Sequence, residues 1–346
     1  MSRRFMRRGT RTPFEWMIDL RSYGQHLAMQ NTAPGKVSWT GNQLSYGAIQ
    51  LDISQLRRMV SLLTYDTRRL LDTKLLLELR TPTITLQRLG DYPSCSTPRF
   101  NFLLYEQNIE LKRLDGSKWL LHQIYDSPRL RHRFWTDRTA SRLVASAVSD
   151  YIRHVDQFRT NLAVLSHITS GQPARVPELL SIRQRNSYEG DQRGLFVDNG
   201  LVNLTTSYYK GSSIASRSDV KIIQRFLPPT ISLLLVRYLW LVLPWVELLE
   251  TQFFARTILS DHIWPADLPN HRFDDTSFRT KFERITERYL GYTVNISSYR
   301  HIAIAISRQF LPKAFQFEDL RETSDEDKDD ITTALDAQAA HSSYVV

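Results

Sequence analysis

The chain predicts a mainly α-helical fold with a small β-hairpin sheet, on three observations. Two long segments, Leu51 to Leu79 and Val144 to Leu165, repeat apolar residues at every third and fourth position. One Asn199-Gly200 dipeptide separates two runs of strand-forming residues. With 346 residues and 42% apolar content, the chain can build one large core or two ordinary ones, which excludes disorder throughout. The expected division falls where irregular text gives way to helical text, into an N-terminal helical unit of residues 1–137 and a C-terminal unit of residues 138–346 carrying the hairpin.

The first helix is expected over Leu51 to Leu79, where Leu56, Val60, Leu63, Leu70 and Leu71 share a face and no Gly or Pro interrupts. On it, Arg57/Arg58 and Arg68/Arg69 are eleven residues apart, about three turns, so both pairs lie on one side. That side suits a phosphate backbone. A solvated face partly balanced by Asp66 and Asp72 is the other reading. From Arg80 to Asp137 the text is irregular, with Pro82, Pro93, Pro98 and Pro128 and aromatic clusters such as Phe100, Phe102 and Tyr105. The second long helix carries Val148, Tyr151, Ile152, Val155, Phe158 and Leu162 and stops at Gly171-Gln172-Pro173. Ala174 to Ile182 reads as a turn entering a short helix. Leu195-Phe196-Val197, Asn199-Gly200 and Leu201 to Tyr209 form the hairpin. Helical text is expected from Val220 to Thr251, and further helices at Ser277 to Leu290 and Ser298 to Phe310. Within the former, Ile231 to Leu249 is apolar, but Arg237 and Pro244 cut it into pieces too short to span a bilayer, so it reads as a buried core helix.

Charge narrows the partner. Lys+Arg exceed Asp+Glu by nine, and the stretch Glu318 to Asp330 alone holds eight acids and two bases, a net of −6, which leaves +15 on the rest. A polyanion is the partner such a body favours. The acidic stretch 318–330 reads as a solvated insertion. Cys95 is the single cysteine, so neither an intramolecular disulfide nor a cysteine zinc site is available, and a reducing intracellular compartment is expected. Arginines at 3, 4, 7, 8 and 11 are followed by no apolar run, so no secretory signal is expected. No phosphate-binding G-x-x-x-x-G-K-[ST], no G-x-G-x-x-G after a strand, no H-E-x-x-H and no G-x-S-x-G is present, so no nucleotide cofactor, metal or serine-hydrolase chemistry is expected.

What remains is an ordered set of cationic and proton-transferring residues. Arg175 stands three residues before Glu178 in Gly171 to Ile182 (GQPARVPELLSI). Lys210 follows the second hairpin strand in Tyr-Tyr-Lys-Gly, Arg300-His301 lies in Ser297 to Ile306 (SSYRHIAIAI) at the expected head of a helix, and His341 sits in Ala-His-Ser-Ser. A helix head would add amide donors to an anion site.

In this order and context the residues resemble the tyrosine recombinase (phage-integrase-like) superfamily, whose boxes read G-x-R-x-x-E-L-L-x-L, a hairpin lysine, H-x-L-R-H-[ST] and L-G-H-S. From Phe14-Glu15-Trp16 through Tyr299-Arg300-His301-Ile302-Ala303 the chain is similar to fungal crypton-type recombinase-like proteins, a domain type also found upstream of RecQ-type helicase regions. The resemblance implies an N-terminal core-binding domain and a C-terminal catalytic domain that close on double-stranded DNA, self-association on DNA, a nuclear location, and strand cleavage and rejoining in recombination or integration. By the resemblance Arg175 and Arg300 clamp the phosphate, Lys210 protonates the leaving oxygen, His301 and His341 assist, and Glu178 orients Arg175. No metal or other cofactor is implied, because a phosphotyrosyl intermediate conserves the bond energy. Two departures stand out. Ser297 occupies the place of the box's first His. The family's tyrosine comes nine residues after the L-G-H-S histidine, here position 350, whereas Tyr344 is three residues after His341 and reads as a packing aromatic. The expectation is therefore a DNA-binding chain without its own cleavage, with a DNA-anchoring domain of a larger protein as the alternative.

Overall fold

A computed structural model describes residues 37–136, 142–208, 221–266 and 273–314. Lys210, His341, Tyr344, the arginine-rich start and the acidic stretch 318–330 all lie outside these residues. The fold is mainly α, with two three-stranded antiparallel sheets.

The first sheet, β1 (Ser38–Thr40), β2 (Gln43–Tyr46) and β3 (Ile49–Asp52), was not expected. Two-residue turns that begin with Gly41 (φ 62) and Gly47 (φ 58) bring the three strands into register. Only Leu44 and Leu51 point fully inward, so the strands carry too little apolar alternation to be read as such. The chain leaves β3 directly into helix α1 (Ile53–Leu70) through a capping box, in which Asp52 accepts from the Ser54 N–H at 2.7 Å and Gln55 accepts from the Asp52 N–H at 3.2 Å. Ile53, Met59, Leu63 and Thr67 form its buried stripe, and a π turn (Leu71–Leu75) carries the helix on before Leu77 and Glu78, both at positive φ, end it.

Residues 80–136 contain three short helices where irregular text was expected: α2 (Ile109–Arg113), α3 (Gly116–Asp126) and α4 (Pro128–Phe134). Pro128, which the sequence suggests as a breaker, sits in the first turn of α4, where its missing N–H has no intrahelical role, and Ser127 caps that turn. Helix α5 (Ala145–Thr169) is the axis of the molecule, buried on nearly every side from Phe158 to His167, and Gly171 at φ 91 turns the chain out of it. Helix α1 packs on α5, and one buried apolar cluster takes in side chains from both expected units, from Leu44 to Ala303.

The hairpin joins β4 (Leu195–Asp198) and β5 (Leu201–Tyr208), with Asp198 opposite Leu201. Both turn residues, Asn199 (φ 48) and Gly200 (φ 78), are left-handed, as a type I′ turn requires. A third strand, β6 (Lys221–Phe226), pairs with β5 where helical text was expected. Its alternation is mixed: Ile223 (7% exposed) and Arg225 (2% exposed) face in, while Ile222, Gln224 and Phe226 face solvent. A charged residue in an inward position hides the period of two.

The apolar run forms one helical rod, α7 (Pro229–Arg237), a π turn (Tyr238–Val242) and α8 (Leu243–Gln252). Pro244 would clash with the carbonyl four residues back, at Trp240, and the wide turn there lets the rod continue through it. The rod is long and apolar enough to cross a membrane by length and composition, and 67% of its most apolar window is buried inside the protein against α3, α5 and β5. Helices α9 (Asp275–Leu290) and α10 (Ile296–Ala314) complete the fold. Tyr289 donates to Asp66 at 2.6 Å and Tyr292 to the Gln50 carbonyl at 3.0 Å, so α9 and the turn after it sit against the first helix and first sheet.

Candidate nucleic-acid interface

The cationic face of α1 forms as its spacing predicts. Arg57, Arg58, Arg68 and Arg69 are all exposed, and among the described residues none of them pairs with a carboxylate. The acids expected to balance them turn elsewhere: Asp66 accepts from Tyr289 and lies 3.8 Å from Arg288, and Asp72 pairs with Arg237 at 2.8 Å. The face therefore keeps its four charges for solvent or for a ligand.

Other arginines are spent on the fold. Arg193 is paired with Asp91 at 2.7 Å, both side chains 1% exposed, and lies over the rings of Phe196 and Phe100. Arg185 bridges Glu247 and Asp261, each at 2.6 Å. Arg159 donates to the Tyr238 hydroxyl at 2.7 Å. Part of the basic excess is thus internal, and the α1 face matters more than the net charge does.

The second cluster is built where α5 ends. After Gly171 the chain passes through buried Gln172, Pro173 and Ala174 to Arg175, whose side chain is 44% exposed, and then enters helix α6 (Val176–Leu180). Glu178, on the first turn of α6, accepts from the Arg175 N–H at 3.1 Å and lies 3.8 Å from its Nε. One carboxylate holds both the backbone and the guanidinium of Arg175. Arg300 belongs to α10, a full turn inside the helix rather than at its head, since the helix begins at Ile296. The head itself is occupied by exposed Ser297 and by Ser298, whose N–H donates to Asn295 at 2.8 Å. The helix-head amides thus lie one turn from Arg300, correcting the expectation that they would surround it.

Arg225, a residue that sequence patterning missed, connects Arg175 and Arg300. Its Nε donates to the Gln172 carbonyl at 3.0 Å and its Nη1 to the Thr206 hydroxyl at 2.6 Å. Burial pulls its pKa down to about 10, with the Glu178 carboxylate opposing that and the Arg300 guanidinium adding to it. Beneath lies His167, 1% exposed and ringed by Phe278, Phe282 and Tyr299, with neither ring nitrogen hydrogen-bonded. Burial first, then Arg300 and Arg225, push its pKa down to about 3, so it is a neutral imidazole. Arg175, Glu178, Arg225, Arg300 and His167 thus share one patch. His301 is turned the other way: its ring stacks on Tyr46 of β2, centroids 5.4 Å apart and planes 19° apart, and burial together with Arg300 lowers its pKa. The α1 arginines stand on a different element from this patch.

Among the described residues no cluster of three His, Cys, Asp or Glu side chains could hold a metal ion. Comparison of the chain with protein-family models, with curated proteins and with solved structures finds no match.

Proposed function

We propose that the chain is a duplex-DNA-binding protein of the tyrosine-recombinase kind, in which Arg175 and Arg300 clamp one backbone phosphate while α1 lies along the duplex. The observation that carries the reading is that Arg225 links the surroundings of two arginines far apart in sequence: it holds the Gln172 carbonyl three residues before Arg175, feels the Glu178 carboxylate that pairs with Arg175, and is acted on by the Arg300 guanidinium. The Arg300 guanidinium acts against the charge on Arg225 and the Glu178 carboxylate acts for it, so an anion at the patch relieves the repulsion between the cations. Guanidinium pairs suit a phosphodiester because their planar donors meet two oxygens at once. The same donors would take up the charge that grows on those oxygens when the phosphorus is attacked, which is the term strand cleavage and rejoining needs most.

A second reading, a DNA-anchoring module without strand chemistry, draws its support from the unpaired arginine face of α1. The two readings separate in one experiment. Binding of a duplex of about 30 base pairs is followed against salt for the wild-type chain, for Arg175→Ala with Arg300→Ala, and for the fourfold alanine variant at 57, 58, 68 and 69. Neutralising four phosphate contacts should flatten the salt slope by about 3 to 4. The clamp reading expects both variants to weaken binding. The anchoring reading expects only the fourfold variant to do so. Absence of duplex binding by the wild type at about 50 mM salt, where phosphate-driven affinity is high, would refute both.

A further inference from the structure

We infer that Arg225 is the positioning residue of the phosphate clamp: one buried guanidinium sets the approach of the Arg175 loop and, through its partner Gln172, the seat of the helix that carries Arg300. The inference rests on the duplex-binding reading above.

Three connections carry it. The Arg225 Nε holds the carbonyl of Gln172, three residues before Arg175, so it fixes the path by which the chain reaches that arginine. The amide of the same Gln172 donates to the Ser307 hydroxyl at 2.6 Å, two turns along α10 from Arg300. The Arg225 Nη1 holds Thr206 in the central strand of the sheet. Segments from the end of α5, from β5 and from α10 thus meet at a single cation and its amide partner. Neither the chemistry of a strand nor the packing of a core calls for a charge at this place. A buried ion usually gives no more stability than a well-packed apolar side chain of similar volume, and here a second cation, Arg300, adds to its cost. Its bonds to the Gln172 carbonyl and the Thr206 hydroxyl are made at that cost, and what they order is the patch itself. Arg225 is 2% exposed, so it acts through Gln172, Thr206 and Arg300.

The test measures duplex affinity by fluorescence anisotropy and the urea midpoint side by side, on the full chain, for wild type, Arg175→Ala, Arg225→Met, Arg225→Lys, Thr206→Val and the double variant Arg175→Ala/Arg225→Met. Arg225→Met is expected to keep cooperative unfolding yet lose about tenfold in affinity, the worth of one charge-assisted hydrogen-bond pair. Arg225→Lys should recover part of that loss, because it keeps the charge but cannot hold the Gln172 carbonyl and the Thr206 hydroxyl at once. The double variant should lose clearly less than the product of the two single losses, since both changes act on the same clamp. Unchanged affinity in Arg225→Met, or losses that multiply in the double variant, would overturn the inference while leaving duplex binding intact. Should Arg225→Met not fold, Thr206→Val, which removes a single acceptor, must still weaken binding without shifting the midpoint by more than its hydrogen bond; a Thr206→Val that binds as wild type overturns the inference equally. A wild-type chain that binds no duplex removes the underlying reading, an outcome distinct from all of these.

Discussion

Replacing His167 by leucine should stabilise the protein increasingly as pH falls. In the folded state its pKa is pushed from 6.5 down to about 3 by burial, Arg300 and Arg225. The unfolded chain regains the ordinary value, so below pH 6.5 it takes up a proton that the folded state refuses. The sign follows: the imidazole removes stability as pH drops through 6.5, and the loss levels off only near the folded value of about 3. Each pH unit in that window is worth about 1.4 kcal/mol, so between pH 7 and pH 5 the imidazole costs about 2 kcal/mol. Asp156 acts in the opposite sense, its folded pKa raised from 3.8 to about 6 by burial against the pull of Arg159 and Lys281. It is present in both proteins and cancels in their difference. Leucine is close in volume and also removes two ring nitrogens that lack hydrogen-bond partners, so at pH 7 the substitution should be neutral or mildly favourable. Urea titrations of both proteins at pH 7 and pH 5 give the gap directly. Two pH profiles that run parallel would refute the assignment of His167 as a neutral, enclosed imidazole beneath Arg300.

Three further substitutions test the packing that supports the site. In Gly116→Ala the new methyl would stand 1.9 Å from the Trp240 indole nitrogen, so a loss of about 1–3 kcal/mol should outweigh the helix propensity of alanine, and an unchanged melting temperature would contradict the close approach of α3 to the π turn. Asp91→Ala leaves Arg193 buried without its carboxylate and should cost about 3–5 kcal/mol in chemical denaturation, whereas a loss under about 1 kcal/mol would mean that the pair is solvated. In Gly200→Ala the backbone must hold φ at 78° and the methyl would come within 2.9 Å of the Gln87 Cα, so a loss of about 1–2 kcal/mol is expected from the backbone strain, with thermal unfolding as the check.

Much of the helical frame is legible from residues alone because its signals are local and redundant. The α5 pattern and its Gly171 stop, the α1 pattern, and the Asn199-Gly200 turn each follow from spacing that tolerates few other conformations. Features that escape such reading are those where a charge or a short element stands in for the usual signal. Strand β6 shows Ile222 and Phe226 to solvent and buries Arg225 beside Ile223, which blurs the alternation a strand pattern looks for. Helices α2, α3 and α4 are too short for a period to emerge. At the candidate site, Arg175, Glu178 and Arg300 were visible through their order along the chain, but His167 and Arg225 were not, because nothing local marks a histidine in an apolar helix face or an arginine in a strand as sharing a patch with them.

The seating of α9 and α10 on the first strands also sets an order of assembly. Tyr289 reaches back 223 residues to Asp66 and Tyr292 reaches back 242 residues to Gln50, and the same closure places Trp39 edge-on to Phe310 at 5.6 Å. Contacts so distant in sequence are slow to form, and on a growing chain they wait until residue 292 has emerged. Glu178, Gln172 and Arg225 beside Arg175 are all present by Phe226, whereas Arg300 arrives with the last described helix. Half of the patch therefore exists before the other half is made, and the cationic pair comes into being only as the chain closes on its own beginning.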